Sequence, residues 1–160
     1  MNTRKPNRLF SYDYSQNGAY FVTICTQNRK PFLSYIPKEK DVPIVTQNGK
    51  IIENLIGMLP VRYPAVSVDR YIIMPDHIHL LIRIESGTGN PSPTVGQMIA
   101  WLKYTATKQI NKCNRTVGEQ RFQRSYYDHV IRNEEDYDSR WMYIENNPTS
   151  WKIKHGIYSL

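Results

Sequence analysis

Two histidines one residue apart open the segment His77-Ile78-His79-Leu80-Leu81-Ile82-Arg83-Ile84. Side chains of a strand alternate between faces, so His77, His79, Leu81 and Arg83 share one side and Ile78, Leu80, Ile82 and Ile84 the other. Positions two apart stand about 6.5–7 Å apart at Cα, close enough for both imidazoles to reach one divalent ion. Neutral imidazoles suit a transition metal, and they share a site with Mg²⁺ or Mn²⁺ when oxygen ligands complete it. The chain has only four histidines, and two of them fall on this one face. A His-x-His pair also arises often by chance as polar decoration of a strand start, so alone it suggests a metal without requiring one.

A second group lies in Arg140-Trp141-Met142-Tyr143-Ile144-Glu145-Asn146-Asn147-Pro148. On a helix Arg140, Tyr143 and Asn147 share a face at i, i+3 and i+7. That face offers a phenol as nucleophile, an amide oxygen as metal ligand one turn on, and a guanidinium able to grip a phosphate. A half-buried tyrosine followed by an asparagine that ends the helix accounts for the same residues equally well. Nothing in composition selects Tyr143 over Tyr12, Tyr14, Tyr126 or Tyr127.

The elements that must position these groups follow from periodicity. Ala19 to Thr26, rich in aromatic and β-branched residues, reads as a strand. Ile52, Leu55, Ile56 and Leu59 form one helical stripe within Gly49 to Leu59. Val66 to Met74 and His77 to Ile84 are two further strands, separated by Pro75-Asp76. Val95, Ile99, Leu102, Ala106 and Ile110 stripe a second helix over Thr94 to Asn111, with Lys103, Lys108 and Lys112 off the stripe. Phe122 to Ile131 reads as extended. Asn133 then caps a third helix whose first turn is acidic, and Pro148 is expected to end it at Asn147. The order β-α-β-β-α-β-α reads as an α+β sandwich with helices packed on a mostly antiparallel sheet, compatible with a ferredoxin-like core, in a single domain over residues 1–160.

Composition narrows the partners. Lys and Arg number 21 against 14 Asp and Glu, a net charge of +7 with a pI near 9.4. That excess suits a polyanion, because each phosphate neutralised releases bound counterions. The two cysteines, Cys25 and Cys113, make no disulfide framework or zinc spacing, which fits a reducing, cytoplasmic compartment. No apolar stretch follows Met1 to Pro6, and no run is long enough to span a membrane, so neither a secretory signal nor a membrane partner is expected.

In four ordered segments the chain resembles the REP-associated tyrosine transposases, relatives of the HUH single-strand transposases. They are Tyr20-Phe21-Val22-Thr23-Ile24-Cys25-Thr26 with Arg29, Tyr71 through His79, Asp128 through Asn133, and Tyr143 through Pro148. The resemblance implies Tyr143 as nucleophile and His77, His79 and Asn147 as protein ligands of Mg²⁺ or Mn²⁺. It implies a nuclease and strand-transferase that forms a 5′-phosphotyrosine on single-stranded DNA near a hairpin, acting at the nucleoid as a monomer or homodimer. Lys and Arg would hold the DNA backbone while unpaired bases stack; candidates are Arg4, Lys5, Arg8, Lys103, Lys108, Lys112 and Arg140, all of which suit a solvated surface equally. One departure is Asp76, where the family usually has Asn. The competing expectation is a hairpin-binding module without catalysis. A third reading, a ferredoxin-like RNA-binding domain, lacks an RNP-like signature. A fourth, a hydrolase using activated water, would work without Tyr143.

Overall fold

The computed structural model describes residues 18–85, 89 and 91–157. Strand β1 (Gly18–Cys25) leads through a 3₁₀ turn (Gln27–Arg29) into a short hairpin, β2 (Ser34–Tyr35) and β3 (Ile44–Val45). Helix α1 (Gln47–Arg62), strands β4 (Val66–Ile73) and β5 (His77–Ile84), helix α2 (Val95–Asn114), strand β6 (Tyr127–Val130) and helix α3 (Glu134–Lys154) follow. Apart from the hairpin and the 3₁₀ turn, this is the order read from the sequence.

The main sheet has the order β4-β5-β1-β6, and each of its pairings is antiparallel. The first and third long strands are therefore neighbours at its centre, as in ferredoxin-like sandwiches. In the central pair Cys25 stands opposite His77, Thr23 opposite His79, and Phe21 opposite Leu81.

Alternation along these strands builds two cores. Val22, Ile24, Ile78, Leu80 and Ile82 face α1 and α2, where they meet Ile52, Leu55, Ile56, Leu59, Ile99, Leu102 and Ala106. Ala19, Phe21 and Leu81 point the other way and pack with Ile131 and with Tyr137, Trp141 and Ile144 of α3. A sheet covered on both sides explains why β5 is buried almost throughout, although its sequence reads as half polar. The histidines lie on the α3 side. Each helix is set by a cap. Thr46 accepts from the Gly49 amide, Thr94 and Gln97 form a reciprocal capping box, and Asn133 accepts from the Asp136 amide at 2.8 Å.

Two boundaries differ from the sequence reading. Phe122 to Ile131 is not one strand: Thr26 bridges Phe122 and Thr23 pairs with Tyr127, so the four residues Gln123 to Tyr126 stand against two of β1 and leave the ladder. Helix α3 does not stop at Asn147 but continues through Pro148 to Lys154. A proline inside a helix costs about 3 kcal/mol through its missing N–H and its clash with the preceding turn. Here tertiary contacts offset that cost. Pro148 is buried, and Lys152, only 4% exposed, donates to the carbonyls of Lys38 and Lys40 and to Asp41 Oδ1.

Candidate active site

The start of β5, the end of β1 and the outer face of α3 enclose a cleft of about 420 Å³. His77 and His79 project from β5, and their ring centroids are 4.7 Å apart. Tyr143, Asn147 and Trp151 line the opposite wall at helical spacing, with Arg29, Arg140 and Lys154 at its edges. The five residues singled out by spacing, His77, His79, Arg140, Tyr143 and Asn147, therefore meet in one place.

Each histidine is oriented by a partner on its Nδ1. Asp76 Oδ1 lies 2.7 Å from His77 Nδ1, and Thr23 Oγ1 lies 2.9 Å from His79 Nδ1. Burial raises the Asp76 carboxyl's pKa, but hydrogen bonding to His77 and the charge of Arg29 outweigh it and hold the group below its usual range. Asp76 is then an acceptor only, and the proton between it and His77 belongs to the ring. The His77 Nε2 faces Asn147 Oδ1 at 3.1 Å. The His79 Nε2 is buried and has no hydrogen-bond partner. Burial, helped by the charges of His77, Arg29 and Arg140, lowers the His79 pKa to about 3, so this ring is neutral.

These features fit a divalent cation. A buried ring nitrogen without a partner is costly unless something occupies its lone pair. With Nδ1 engaged by Asp76, His77 turns its Nε2 toward an amide oxygen, and 3.1 Å is about the spacing of two adjacent ligands with bonds of about 2.1 Å. Among the described residues no cluster of three or more His, Cys, Asp or Glu is arranged to hold a metal. His77, His79 and Asn147 would therefore supply two nitrogens and one oxygen, leaving further positions to oxygens from outside the chain.

Tyr143 is half exposed, and its ring stands edge-on to His79 at 5.3 Å and to Phe21 at 5.8 Å. Phe21 also stacks on His79 at 5.0 Å and carries the Arg140 guanidinium over its ring at 5.1 Å. One aromatic side chain thus braces three members of the site. Tyr143 lines the cleft with its ring held between Phe21 and His79.

The remaining basic candidates go elsewhere. Helix α2 packs on the far side of the sheet, so Lys103, Lys108 and Lys112 do not line this cleft. Lys103 donates to the carbonyls of Gln123 and Arg124, and Lys108 sits over the ring of exposed Tyr104 at 5.3 Å. Lys112 is exposed in the last turn of α2. Arg4, Lys5 and Arg8 lie outside the described residues. Sequence reasoning did not single out Phe21, Thr23, Trp151 or Lys154 as site residues. Strand alternation opposite His79 points to the first two. Helical spacing from Tyr143 and Asn147 reaches Trp151, once the helix is carried past Pro148.

A family model described as transposase, IS200-like, matches residues 15–147. The chain belongs to this family. An uncharacterised protein of Haemophilus influenzae is 29% identical over 169 residues, covering 93% of this transposase-family chain and 90% of its own. A second Haemophilus influenzae protein, named as a candidate REP-associated tyrosine transposase, is 30% identical over 154 residues, covering 90% of this chain and 75% of its own. Among solved structures, a REP-associated tyrosine transposase bound to a REP hairpin superimposes with a TM-score of 0.60 at 18% identity, covering 95% of this chain and 74% of that one. A candidate transposase from Deinococcus radiodurans gives 0.53 at 16% identity, covering 89% and 96%. The structural likenesses bear out the fold read from the sequence, and the family assignment bears out the resemblance carried by its motifs. Among the described residues no helix is long and apolar enough to cross a membrane.

Proposed function

We propose that this IS200-like transposase cuts and rejoins single-stranded DNA beside hairpin-forming repeats, with Tyr143 as nucleophile and His77, His79 and Asn147 as the ligands of Mg²⁺ or Mn²⁺. The observation that carries the reading is convergence: a half-exposed phenol, two adjacent imidazoles and an amide oxygen face one cleft bordered by three cations. When bound, the cation would polarise a non-bridging phosphate oxygen and make the phosphorus more electrophilic. Arg140, within reach of the same cleft, neutralises phosphate charge and helps fix the strand. Phe21 and His79 hold the Tyr143 ring so that its hydroxyl approaches the scissile phosphorus in line with the leaving oxygen.

In the chemical step the Tyr143 Oη–P bond forms and the P–O3′ bond breaks. The phenol proton leaves to solvent water, and the departing 3′ oxygen takes up a proton. The 5′-phosphotyrosine keeps the bond energy, so another 3′-hydroxyl reverses the step and joins strands. A hydroxyl of reference pKa near 10 needs this electrophilic activation to react at neutral pH. The basic balance of the chain, +7 overall, favours the polyanionic substrate. The protein would act in the cytoplasm, at the nucleoid, as a monomer or homodimer.

The test is incubation with Mn²⁺ and end-labelled hairpin DNA drawn from repeats flanking the gene, resolved on a denaturing gel. A labelled protein–DNA adduct that disappears in both Tyr143→Phe and His77→Ala is the expected result. Cleavage that persists in Tyr143→Phe without an adduct would replace this mechanism by hydrolysis with activated water. Tight hairpin binding without cleavage or adduct would leave a binding module.

A further inference from the structure

Asp76 is held more firmly than a loop residue between two strands requires. Thr26 donates its backbone N–H to the Asp76 carbonyl at 3.0 Å, and its hydroxyl lies between that carbonyl at 3.1 Å and the Lys30 carbonyl at 2.9 Å. The Arg29 guanidinium grips its carboxylate with two hydrogen bonds, Nε to Oδ2 at 3.0 Å and Nη2 to Oδ1 at 3.2 Å. The third nitrogen, Nη1, lies 2.9 Å from the sulfur of Cys25, the residue opposite His77 in the sheet. All three guanidinium nitrogens are thereby directed to the end of β1 and to Asp76.

The backbone that delivers this arginine is strained. Asn28 and Arg29 take φ values of 57° and 54°, the left-handed region that glycine enters freely and arginine rarely. Glycine would relieve the strain but would remove the guanidinium. The chain instead keeps a long cationic side chain where the backbone disfavours one, and strain of this kind concentrates at functional sites.

Resting on the metal-dependent reading above, we propose that Asp76, locked by Arg29, is the positioning residue that fixes the tautomer of His77 and aims its Nε2 at the cation. The carboxylate accepts a hydrogen bond from Nδ1–H, which leaves Nε2 as the ring's bare nitrogen facing Asn147. A carboxylate behind a ligating imidazole also raises the basicity of the ring. Arg29 cancels the added negative charge, so the ring gains a strong acceptor while the cleft does not become repulsive to DNA. Without Arg29 the buried carboxylate is free to turn away from His77.

The test uses the full chain, without DNA, and two readouts. One is ¹⁵N–¹H spectroscopy of the histidine rings in metal-free protein, and the other is Mn²⁺ binding followed by the electron-spin signal of the free ion. The unmodified protein should show His77 protonated at Nδ1. Asp76→Ala should abolish that preference and weaken Mn²⁺ binding by roughly 10–100-fold, the range seen when such supporting carboxylates are lost. Asp76→Asn keeps an acceptor oxygen and should restore the tautomer and part of the affinity. It also covers the case in which Asp76→Ala fails to fold. Arg29→Gly should weaken binding less than Asp76→Ala. Adding Arg29→Gly to Asp76→Asn should cost little more, because the two residues act as a unit. An unchanged His77 tautomer and unchanged Mn²⁺ affinity in folded Asp76→Ala would overturn the proposal; if that variant does not fold, full rather than partial Mn²⁺ affinity in Asp76→Asn would overturn it. His77→Ala separates the two ideas: if it binds Mn²⁺ as tightly as the unmodified chain, the metal reading fails, and the tautomer measurement still decides the role of Asp76.

Discussion

His77 Nε2 and Asn147 Oδ1 lie 3.1 Å apart, although the two residues are 70 positions apart in the chain. They meet because β5 and α3 pack on the same face of the sheet, through Leu81 on one side and Ile144 on the other. The fold therefore brings the two atoms together before any ligand arrives. A cation bound there stabilises the native state by linkage, about 2.7 kcal/mol at a hundredfold excess over Kd. For a domain of this size that corresponds to a rise in Tm of roughly 5–10 °C. Scanning calorimetry with Mn²⁺ and with a chelator measures it. His79→Ala and Asn147→Ala should each lose most of the shift, and an equal shift in all three proteins would sink the shared ligand set.

The neutral His79 ring sets a pH dependence in the metal-free protein. Its pKa falls from 6.5 toward about 3 on folding, chiefly through burial. Between those values the unfolded chain binds a proton that the folded chain refuses, so stability falls as pH drops from 6.5 toward 3. The slope contributed by one such group approaches about 1.4 kcal/mol per pH unit in that window. Urea melts from pH 7 to pH 4.5 in chelator, compared with His79→Gln, isolate this contribution. Ring resonances of His79 that titrate near pH 6.5 in the folded protein would contradict it.

Much of this arrangement is legible in the sequence. Alternation placed His77 and His79 on one face and the isoleucines on the other, and the structure has that division. Helical spacing put Arg140, Tyr143 and Asn147 on one side of α3, where they line the cleft. Local pattern failed where distant contacts decide. Pro148 reads as a helix end, because the anchors that carry α3 past it, Lys38, Lys40 and Asp41, lie more than a hundred residues earlier. The pairing of Arg29 with Asp76 crosses 47 positions and depends on two left-handed residues that no periodicity marks. Composition ranked no tyrosine above the others, and only the resemblance of the motifs pointed to Tyr143. Tyr143 stands out in space by its position beside His79 and Phe21.

Ile144 is fully buried between Tyr143 and Asn147, the proposed nucleophile and the proposed metal ligand. Its side chain joins α3 to Phe21 and Leu81. Ile144→Ala should cost about 2–5 kcal/mol through lost burial and the cavity left behind, and Ile144→Val about 0.5–1.5 kcal/mol. Urea denaturation gives both values. A cost below 0.5 kcal/mol for the alanine would mean that α3 does not rely on this contact for its docking.

Lys152 is the charged residue that closes α3 onto the rest of the chain. Its ammonium is almost fully buried and donates to two carbonyls and to Asp41. Asp41 itself is held below its ordinary pKa, first by the hydrogen bond from Lys152, so its carboxylate stays ionised at neutral pH. Lys152→Ala removes three donors and the aliphatic stem, and the carbonyls of Lys38 and Lys40 must find water instead. A loss of about 1–3 kcal/mol is expected, concentrated locally. Because Pro148 already interrupts the helical ladder, the turn from Thr149 to Lys154 relies on this anchor together with the Thr149–Asp41 hydrogen bond and the stacking of Trp151 on His155. Hydrogen exchange should accelerate in that turn while the amides of β1 and β5 stay protected. Trp151, which stands 6.2 Å from His77 and belongs to this turn, would loosen with it, and the cleft would lose one wall. Uniform acceleration across the sheet would show instead that Lys152 supports the whole fold, and unchanged exchange would show that Pro148 is tolerated without the anchor.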